Sequence, residues 1–233
     1  MVTEAQLREN IARVDERMAA ACQRCGRRRA DVKLVAISKT HPPELIRAAF
    51  EAGVHDFGEN RVQEAKGKAP ALADLALTWH LVGHLQSNKA RAARELFAWV
   101  HSLDSLRLAE KLAQAAEPSG QRLPVLIEVN LGEENSKAGA RAGDAAELAE
   151  QVGRLATLEV RGLMVIPPFF ENPEEVRPYF RRLRGLAAEI ASRALPGVSM
   201  HELSMGMSHD FEVAIEEGAT MVRVGTAIFG ARP

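Results

Sequence analysis

The chain has 233 residues, 46% hydrophobic and 26% charged, and its 30 Lys+Arg against 31 Asp+Glu leave a net charge of -1. A disordered chain needs fewer apolar residues and more net charge, a nucleic-acid-binding domain carries a basic excess, and a membrane helix needs roughly 20 apolar residues in a row. None of these fits, and two cysteines, Cys22 and Cys25, are too few for a disulfide framework or a four-cysteine zinc site.

The first ten residues are polar and carry acids, unlike a secretory signal or a transit peptide, so a cytoplasmic protein is expected. The first predicted element is a helix, because Leu7, Ile11, Val14, Met18, Cys22 and Cys25 recur at spacings of four, three, four, four and three. Gly26 stands where its C-terminal cap belongs. The two cysteines therefore continue an apolar stripe, and a C-x-x-C redox pair is the weaker reading.

Short β-branched runs then alternate with amphipathic stretches. Strands are predicted over residues 32–37, 54–57, 79–82, 97–101, 125–130, 160–166, 198–203 and 221–224, and each but the last is followed by helical periodicity. Helices are expected to open at Pro42-Pro43, from about Asn60, at Asp104 and near Phe211. In the helix at Asp104 that residue caps an apolar face of Leu106, Ala109, Leu112, Ala113 and Ala116, and Phe211, Ala214, Ile215 and Gly218 make another such face. Eight alternating units suit a closed barrel better than an open doubly wound sheet. The predicted class is α/β, a single (β/α)8 TIM barrel with an extra N-terminal helix, spanning residues 1–233 as one domain. The Pro-rich pieces 117–124 and 167–173 are loop-sized.

Barrels of this kind carry their sites at the C-terminal strand ends, with phosphate groups often held after the last two strands. The first strand ends Ile37-Ser38-Lys39-Thr40, which puts Lys39 at the mouth. A lysine amine, protonated in water at an ordinary pKa of about 10.4, becomes a Schiff-base nucleophile when a partly buried mouth lowers that value. A solvated surface lysine is the competing reading. Asn60 caps a helix or offers its amide to a ligand. His80 and His84 flank a strand end with no third ligand in view, a poor metal site, and no metal is expected. A second lysine, Lys137, follows the fifth strand, and Lys89 follows the third.

The last two strand ends carry the strongest signal. Residues 203–210 form a small-residue loop opening a helix, with Ser204 and Ser208, and Arg223, Gly225 and Thr226 follow on the final strand. Free backbone N–H groups, hydroxyls and a positive helix end there make a phosphate cup. Pyridoxal 5'-phosphate satisfies both halves of the mouth, with the lysine for its aldehyde and the cup for its phosphate.

These segments also carry a family resemblance. Val-Ala-Ile-Ser-Lys-Thr at 35–40, Phe-Gly-Glu-Asn at 57–60, Trp79-His80, Gly-His-Leu-Gln-Ser-Asn-Lys at 83–89, Glu-Asn-Ser-Lys at 134–137, Arg-Gly-Leu-Met at 161–164, Leu-Ser-Met-Gly-Met-Ser at 203–208 and Val-Arg-Val-Gly-Thr at 222–226 running on to Gly230 resemble the pyridoxal phosphate homeostasis protein family, in order over nearly the whole chain. The resemblance implies a barrel like the N-terminal domain of alanine racemase that binds pyridoxal 5'-phosphate as a Schiff base, without established turnover. It implies that Lys39 is the Schiff-base lysine, that Ser208, Gly225 and Thr226 bind phosphate, that Arg223 faces the pyridine nitrogen, that Asn60 is a polar contact near the ring, and that Ser204 is a neighbour of the site. His84 stands where some members have proline, and His209 where others have Asp or Ala.

The implied role is intracellular pyridoxal phosphate homeostasis, with pyridoxal-phosphate-dependent apoenzymes as recipients and a monomer expected. A weak amino acid racemase and a cofactor-free Schiff-base aldolase are the alternatives. Arg223 offers no acceptor to a pyridinium, and the one tyrosine, Tyr179, reads as packing or helix surface, so a binder is favoured over a racemase. The aromatics of the 167–173 loop make it a lid or a packed connection. The arginines at 27–29, 181, 182 and 184 read as solvated faces, with no nucleic-acid or membrane partner.

Overall fold

The structure, a computed structural model, describes residues 2–116, 121–132 and 138–231. The 134–137 segment with Lys137, and part of the 117–124 piece, lie outside the described residues. The helix α1 (Glu4–Arg24) opens on a capping box, in which the Thr3 side chain accepts from the Gln6 N–H and the Gln6 side chain accepts from the Thr3 N–H. It closes where Gly26, at φ +70, turns the chain so that Arg27 N–H donates to Cys22 O and Gly26 N–H to Gln23 O. Cys22 is buried in its apolar stripe and burial pushes its thiol pKa up, which fits packing and not redox chemistry.

Then follow β1 (Lys33–Ile37), α2 (Pro43–Glu51), β2 (Asp56–Glu59), α3 (Val62–Lys68), β3 (Thr78–Leu81), α4 (Ala90–Leu96), β4 (Trp99–Leu103), α5 (Leu106–Gln114) and β5 (Leu123–Asn130). After the two-residue β6 (Ala140–Arg141) come α6 (Ala145–Gly153), β7 (Leu158–Met164), α7 (Arg177–Ser192), β8 (Val198–Met207), α8 (Phe211–Glu216), β9 (Met221–Val224) and α9 (Thr226–Phe229). Parallel pairing runs in the order β4-β3-β2-β1-β9-β8-β7-β5, and β4 pairs with β5 to close the ring. The fold is the predicted eight-stranded α/β barrel, and β6 only extends the edge of β5 beyond it.

Parallel strands buried on both faces read as nearly continuous apolar runs, which is why the eight strands were visible in the sequence. Their outward side chains and the helices share a large core that includes Phe57, Phe180, Phe211 and Phe229, each fully buried. Burial of one such side chain stabilises by roughly 1.5–3 kcal/mol. The helix α1 spans the seam where the last elements meet the first. Arg17 makes two hydrogen bonds to Glu212 and lies 4.6 Å over the Phe211 ring, and Asn10 donates to Ile228 O. Inside the ring the apolar cluster is small, with Val35, Leu126, Met164 and Met221 as its fully buried members. Much of the remaining interior is polar.

The helix expected at Asp104 begins at Leu106, with Ser105 in the cap position and no side-chain cap. The Asp104 carboxylate is drawn to the mouth instead, where it accepts from Ser105 Oγ and pairs with His84 at 3.3 Å. Asn60 is likewise not a cap, since α3 starts two residues later behind Arg61. The strand β8 runs four residues past its predicted end, to Met207. Gly206, at φ +90, allows this, because a Cβ there would sit 2.5 Å from Ala214 Cβ and 3.0 Å from Phe211 Cα. Gly206→Ala is expected to destabilise the protein by roughly 2–4 kcal/mol, combining the left-handed penalty with overpacking. Urea unfolding checks this, and a loss under about 1 kcal/mol would contradict the stated contacts.

Candidate functional site

The ends of β1, β2, β3, β5, β7, β8 and β9 and the turns beyond them build one cavity of about 560 Å³ at the C-terminal mouth of the barrel. Lys39, Asn60, Ser208, Arg223, Gly225 and Thr226 line it together, with His84, Glu128, Ile166, Phe169 and His209. Ser204 does not line it. That side chain is buried one layer below, where its Oγ accepts from Arg223 Nη1 at 2.7 Å.

Lys39 is held by clamps on both neighbours. Buried Lys68 donates to Ser38 O at 2.9 Å, to Glu59 Oε1 at 2.8 Å and to Glu64 Oε1 at 2.9 Å. Ser38 Oγ donates to the same Glu59 oxygen at 2.7 Å, and the Thr40 N–H donates to Glu64 Oε1. Thr40 adopts φ +67, a left-handed conformation that a β-branched residue takes only when its surroundings impose it. The backbone either side of Lys39 is thereby fixed, and its half-buried side chain is delivered to the mouth.

On the neighbouring strand, β9, the register Val35↔Arg223 and Ala36↔Val224 carries Gly225 and Thr226 to the mouth beside the end of β1. Ser208 Oγ accepts from Gly225 N–H at 3.2 Å and from Ala227 N–H at 3.3 Å, so the hydroxyl and the N–H groups opening α9 converge. Gly83 brings the end of β3 against the backbone of Asn60, where a Cβ would lie 2.5 Å from Asn60 O. Arg223 is 4% exposed and donates from Nη2 to Val165 O at 2.8 Å. Burial lowers its pKa to about 10, against the pull of Glu128 and Asp210, so it remains a cation at neutral pH.

Sequence reasoning missed Glu128. It shares the inward face of β5 with Leu126, and that alternation was the available signal. Burial raises its pKa to about 7, opposed by Arg223, reinforced by Asp104 and opposed by His84. His80 and His84 diverge, one inside the barrel and the other exposed at the mouth with Asp104. Among the described residues no group of three or more His, Cys, Asp or Glu is placed to hold a metal ion. The aromatics of the 167–173 loop split, with Phe169 exposed over the mouth beside His209 and Phe170 packed on Tyr179. Arg27 donates to Ile215 O and Ala219 O, and Arg181 and Arg184 pair with Glu217, so these basic residues tie elements together.

Residues 2–233 match the family described as alanine racemase, N-terminal domain. The pyridoxal phosphate homeostasis protein of Aquifex aeolicus (strain VF5) is 49% identical over 224 residues, covering 96% of this chain and 97% of that protein. The chain belongs to the pyridoxal phosphate homeostasis protein family. Among solved structures, PipY of Synechococcus elongatus PCC7942 with PLP bound has a TM-score of 0.82 at 44% identity, covering 93% of this chain and 100% of that one. Alanine racemase from Corynebacterium glutamicum shares the fold, with a TM-score of 0.66 at 16% identity over 94% of this chain and 60% of that one.

Between pH 4.5 and about 7 the native state holds a proton on Glu128 that the unfolded chain has released, so stability falls as pH rises through that window. At about 1.4 kcal/mol per pH unit this amounts to roughly 3 kcal/mol. Glu128→Gln, neutral throughout, is expected to match the parent near pH 5 and to exceed it by about that amount above pH 7. Urea melts at pH 5 and pH 8 measure the difference, and a pH-independent offset would contradict it.

Proposed function

We propose that this chain holds pyridoxal 5'-phosphate in the mouth cavity, covalently linked to the Lys39 amine, and acts in intracellular pyridoxal phosphate homeostasis without catalytic turnover. In this reading residues 1–233 work as one cofactor-binding unit, monomeric and cytoplasmic, with pyridoxal-phosphate-dependent apoenzymes as recipients. The observation that carries the reading is the donor set of a single cavity. An amine, a converging group of hydroxyl and backbone N–H donors, and a permanent cation line one space, and the two strands bearing most of them are paired neighbours. That set fits a phosphorylated pyridine aldehyde. The PLP-bound PipY relative supports the same assignment.

Each residue then has a role. Lys39 is the attachment point, held in place by the clamps on Ser38 and Thr40. Ser208, Gly225 and Thr226 bind the phosphate, Asn60 is a polar contact near the ring, and Arg223 faces the ring nitrogen. Ser204 acts on Arg223 from behind and touches no ligand.

When bound, the group supplies a reactive aldehyde and an electron-withdrawing ring. Arg223 offers only donors, so a facing ring nitrogen accepts and stays unprotonated, which weakens the pull that carbanion chemistry requires. Tyr179 lies on α7 with its ring 5.8 Å from Phe170 and does not line the cavity. It is not placed as a second acid–base group opposite Lys39. Both points favour holding the group over racemising an amino acid.

The test is the visible absorption of the purified protein after addition of pyridoxal 5'-phosphate, followed by borohydride reduction and peptide mass mapping. The expected result is a visible band, with the reduced adduct on Lys39, and loss of both in Lys39→Ala. An adduct on another lysine, or none, would overturn the assignment. Exchange of the α-proton of any amino acid with solvent, catalysed by the loaded protein, would overturn the absence of turnover.

A further inference from the structure

The interior of the barrel holds a continuous polar column that the site residues do not account for. From the mouth downward, Arg223 Nη1 donates to Ser204 Oγ at 2.7 Å, and Ser204 Oγ lies 2.9 Å from His101 Nδ1. His101 Nε2 is 2.9 Å from His80 Nδ1, and His80 Nε2 is 2.8 Å from Asp56 Oδ1. Ser204, His101 and His80 are fully buried. At the lower end Lys33 pairs with Asp56 at 3.2 Å, and both line a separate groove of about 610 Å³ at the opposite end of the barrel from the mouth. Trp99 stacks on His80 with 6.0 Å between rings, and the Lys33 amine lies 5.7 Å over Trp99.

The two ends of this column fix the protons between them. A guanidinium only donates and a carboxylate only accepts. His80 Nε2 must therefore carry a hydrogen to bond Asp56, which leaves His80 Nδ1 bare if the ring is neutral. His101 Nε2 must then carry a hydrogen, and His101 Nδ1 in turn is bare and accepts from the Ser204 hydroxyl. Ser204 Oγ is left as the acceptor that Arg223 needs. Every hydrogen points toward Asp56, and every member is satisfied, which is what makes a buried network favourable. Burial, the largest influence on both rings, holds His80 and His101 neutral against the pull of Asp56 on His80. Asp56 is kept ionised because the His80 hydrogen bond and the nearby charges outweigh its own burial.

We propose that Asp56, His80, His101 and Ser204 form a positioning column that fixes the orientation of Arg223 toward the cavity, with His80 and His101 as its deciding members. The inference rests on the reading of Arg223 as the ring-nitrogen partner. The aligned N–H and O–H dipoles present their electron-rich end to the guanidinium, so Asp56 serves as its remote counter-charge across three hydrogen-bonded side chains. Glu128 and Asp210 also pull on the same cation, and burial raises the pKa of Glu128 to about 7.

Two measurements test the column. In ¹⁵N-histidine-labelled protein without added ligand, long-range ¹H–¹⁵N correlation spectra, assigned with His80→Gln and His101→Gln, are expected to show both rings neutral and protonated on Nε2 from pH 6 to 8. A ring protonated on Nδ1, or titrating in that range, would overturn the proposal. This readout needs no cofactor, so it stands apart from the fate of the Lys39 assignment. The second is the affinity for pyridoxal 5'-phosphate by equilibrium dialysis. His101→Leu strands the Ser204 hydroxyl and frees Arg223, and is expected to weaken binding by about tenfold or more. His101→Gln, whose amide carries one acceptor and one donor, is expected to stay within about threefold of the parent, a rescue that packing loss would not show. Parent-like binding by a folded His101→Leu, or equal loss in both variants, would overturn it. If His101→Leu does not fold, Ser204→Ala takes its place, with the same tenfold loss expected and parent-like binding overturning the proposal.

Discussion

A guanidinium buried inside a ring of parallel strands is the constraint on which the rest of this molecule depends. Taking such a cation out of water costs several kcal/mol, and the interior must supply hydrogen-bond acceptors in compensation. Here it does so with Val165 O and Ser204 Oγ, and the Ser204 hydroxyl lies in turn against a chain of two buried histidines. The barrel thus gives up part of its apolar filling for a polar axis. Its inner apolar cluster is small for that reason, and stability falls largely to the outer layer between strands and helices, where the buried phenylalanines lie.

The mouth follows the same logic one layer higher. Lys39 has to project into a cavity at the point where a strand becomes a loop, a place where backbone is ordinarily free to move. The Lys68 cluster removes that freedom by bonding the carbonyl before Lys39, while its partner Glu64 bonds the N–H after it. The conformation imposed on Thr40 is part of this fixing. Opposite, the short α9 and the turn after β8 bring N–H groups and a hydroxyl together without a side-chain cap on α9. An amine on a fixed backbone, a corner of converging N–H and hydroxyl groups and a buried cation share one cavity, a set that fits the proposed phosphorylated pyridine aldehyde.

Much of this was legible in the sequence because the signals were local. The eight apolar runs, the stripe from Leu7 to Cys25 and Gly26 after it followed from periodicity and turn chemistry, and each became the expected element. Where the reading went wrong, a tertiary contact overrode a local preference. Asp104 is a good cap by type, yet His84 draws it to the mouth, and Asn60 lies over the cavity where Gly83 presses on its backbone. The predicted end of β8 fell short because a glycine inside a strand reads as a break, while here it permits close contact with α8. Helix α9 is too short to show a period. The column escaped notice for a different reason. Asp56, His80, His101, Ser204 and Arg223 come from five different strands, and only closure of the ring brings them into line. What the sequence did contain was polar side chains at inward-facing positions of otherwise apolar strands, and His101, Glu128 and Ser204 are the ones that alternation could have singled out.

The proposed function requires that one cavity bind pyridoxal 5'-phosphate with Lys39 at its aldehyde and Arg223 at its ring nitrogen. A crystal structure of the protein grown with the cofactor tests it most directly. The expected result is continuous density from Lys39 Nζ into the ligand, the phosphate against Ser208, Gly225 and Thr226, and an Arg223 N–H on the ring nitrogen. Density for the ligand elsewhere, or in this cavity with Lys39 unattached and Arg223 turned away, would contradict it.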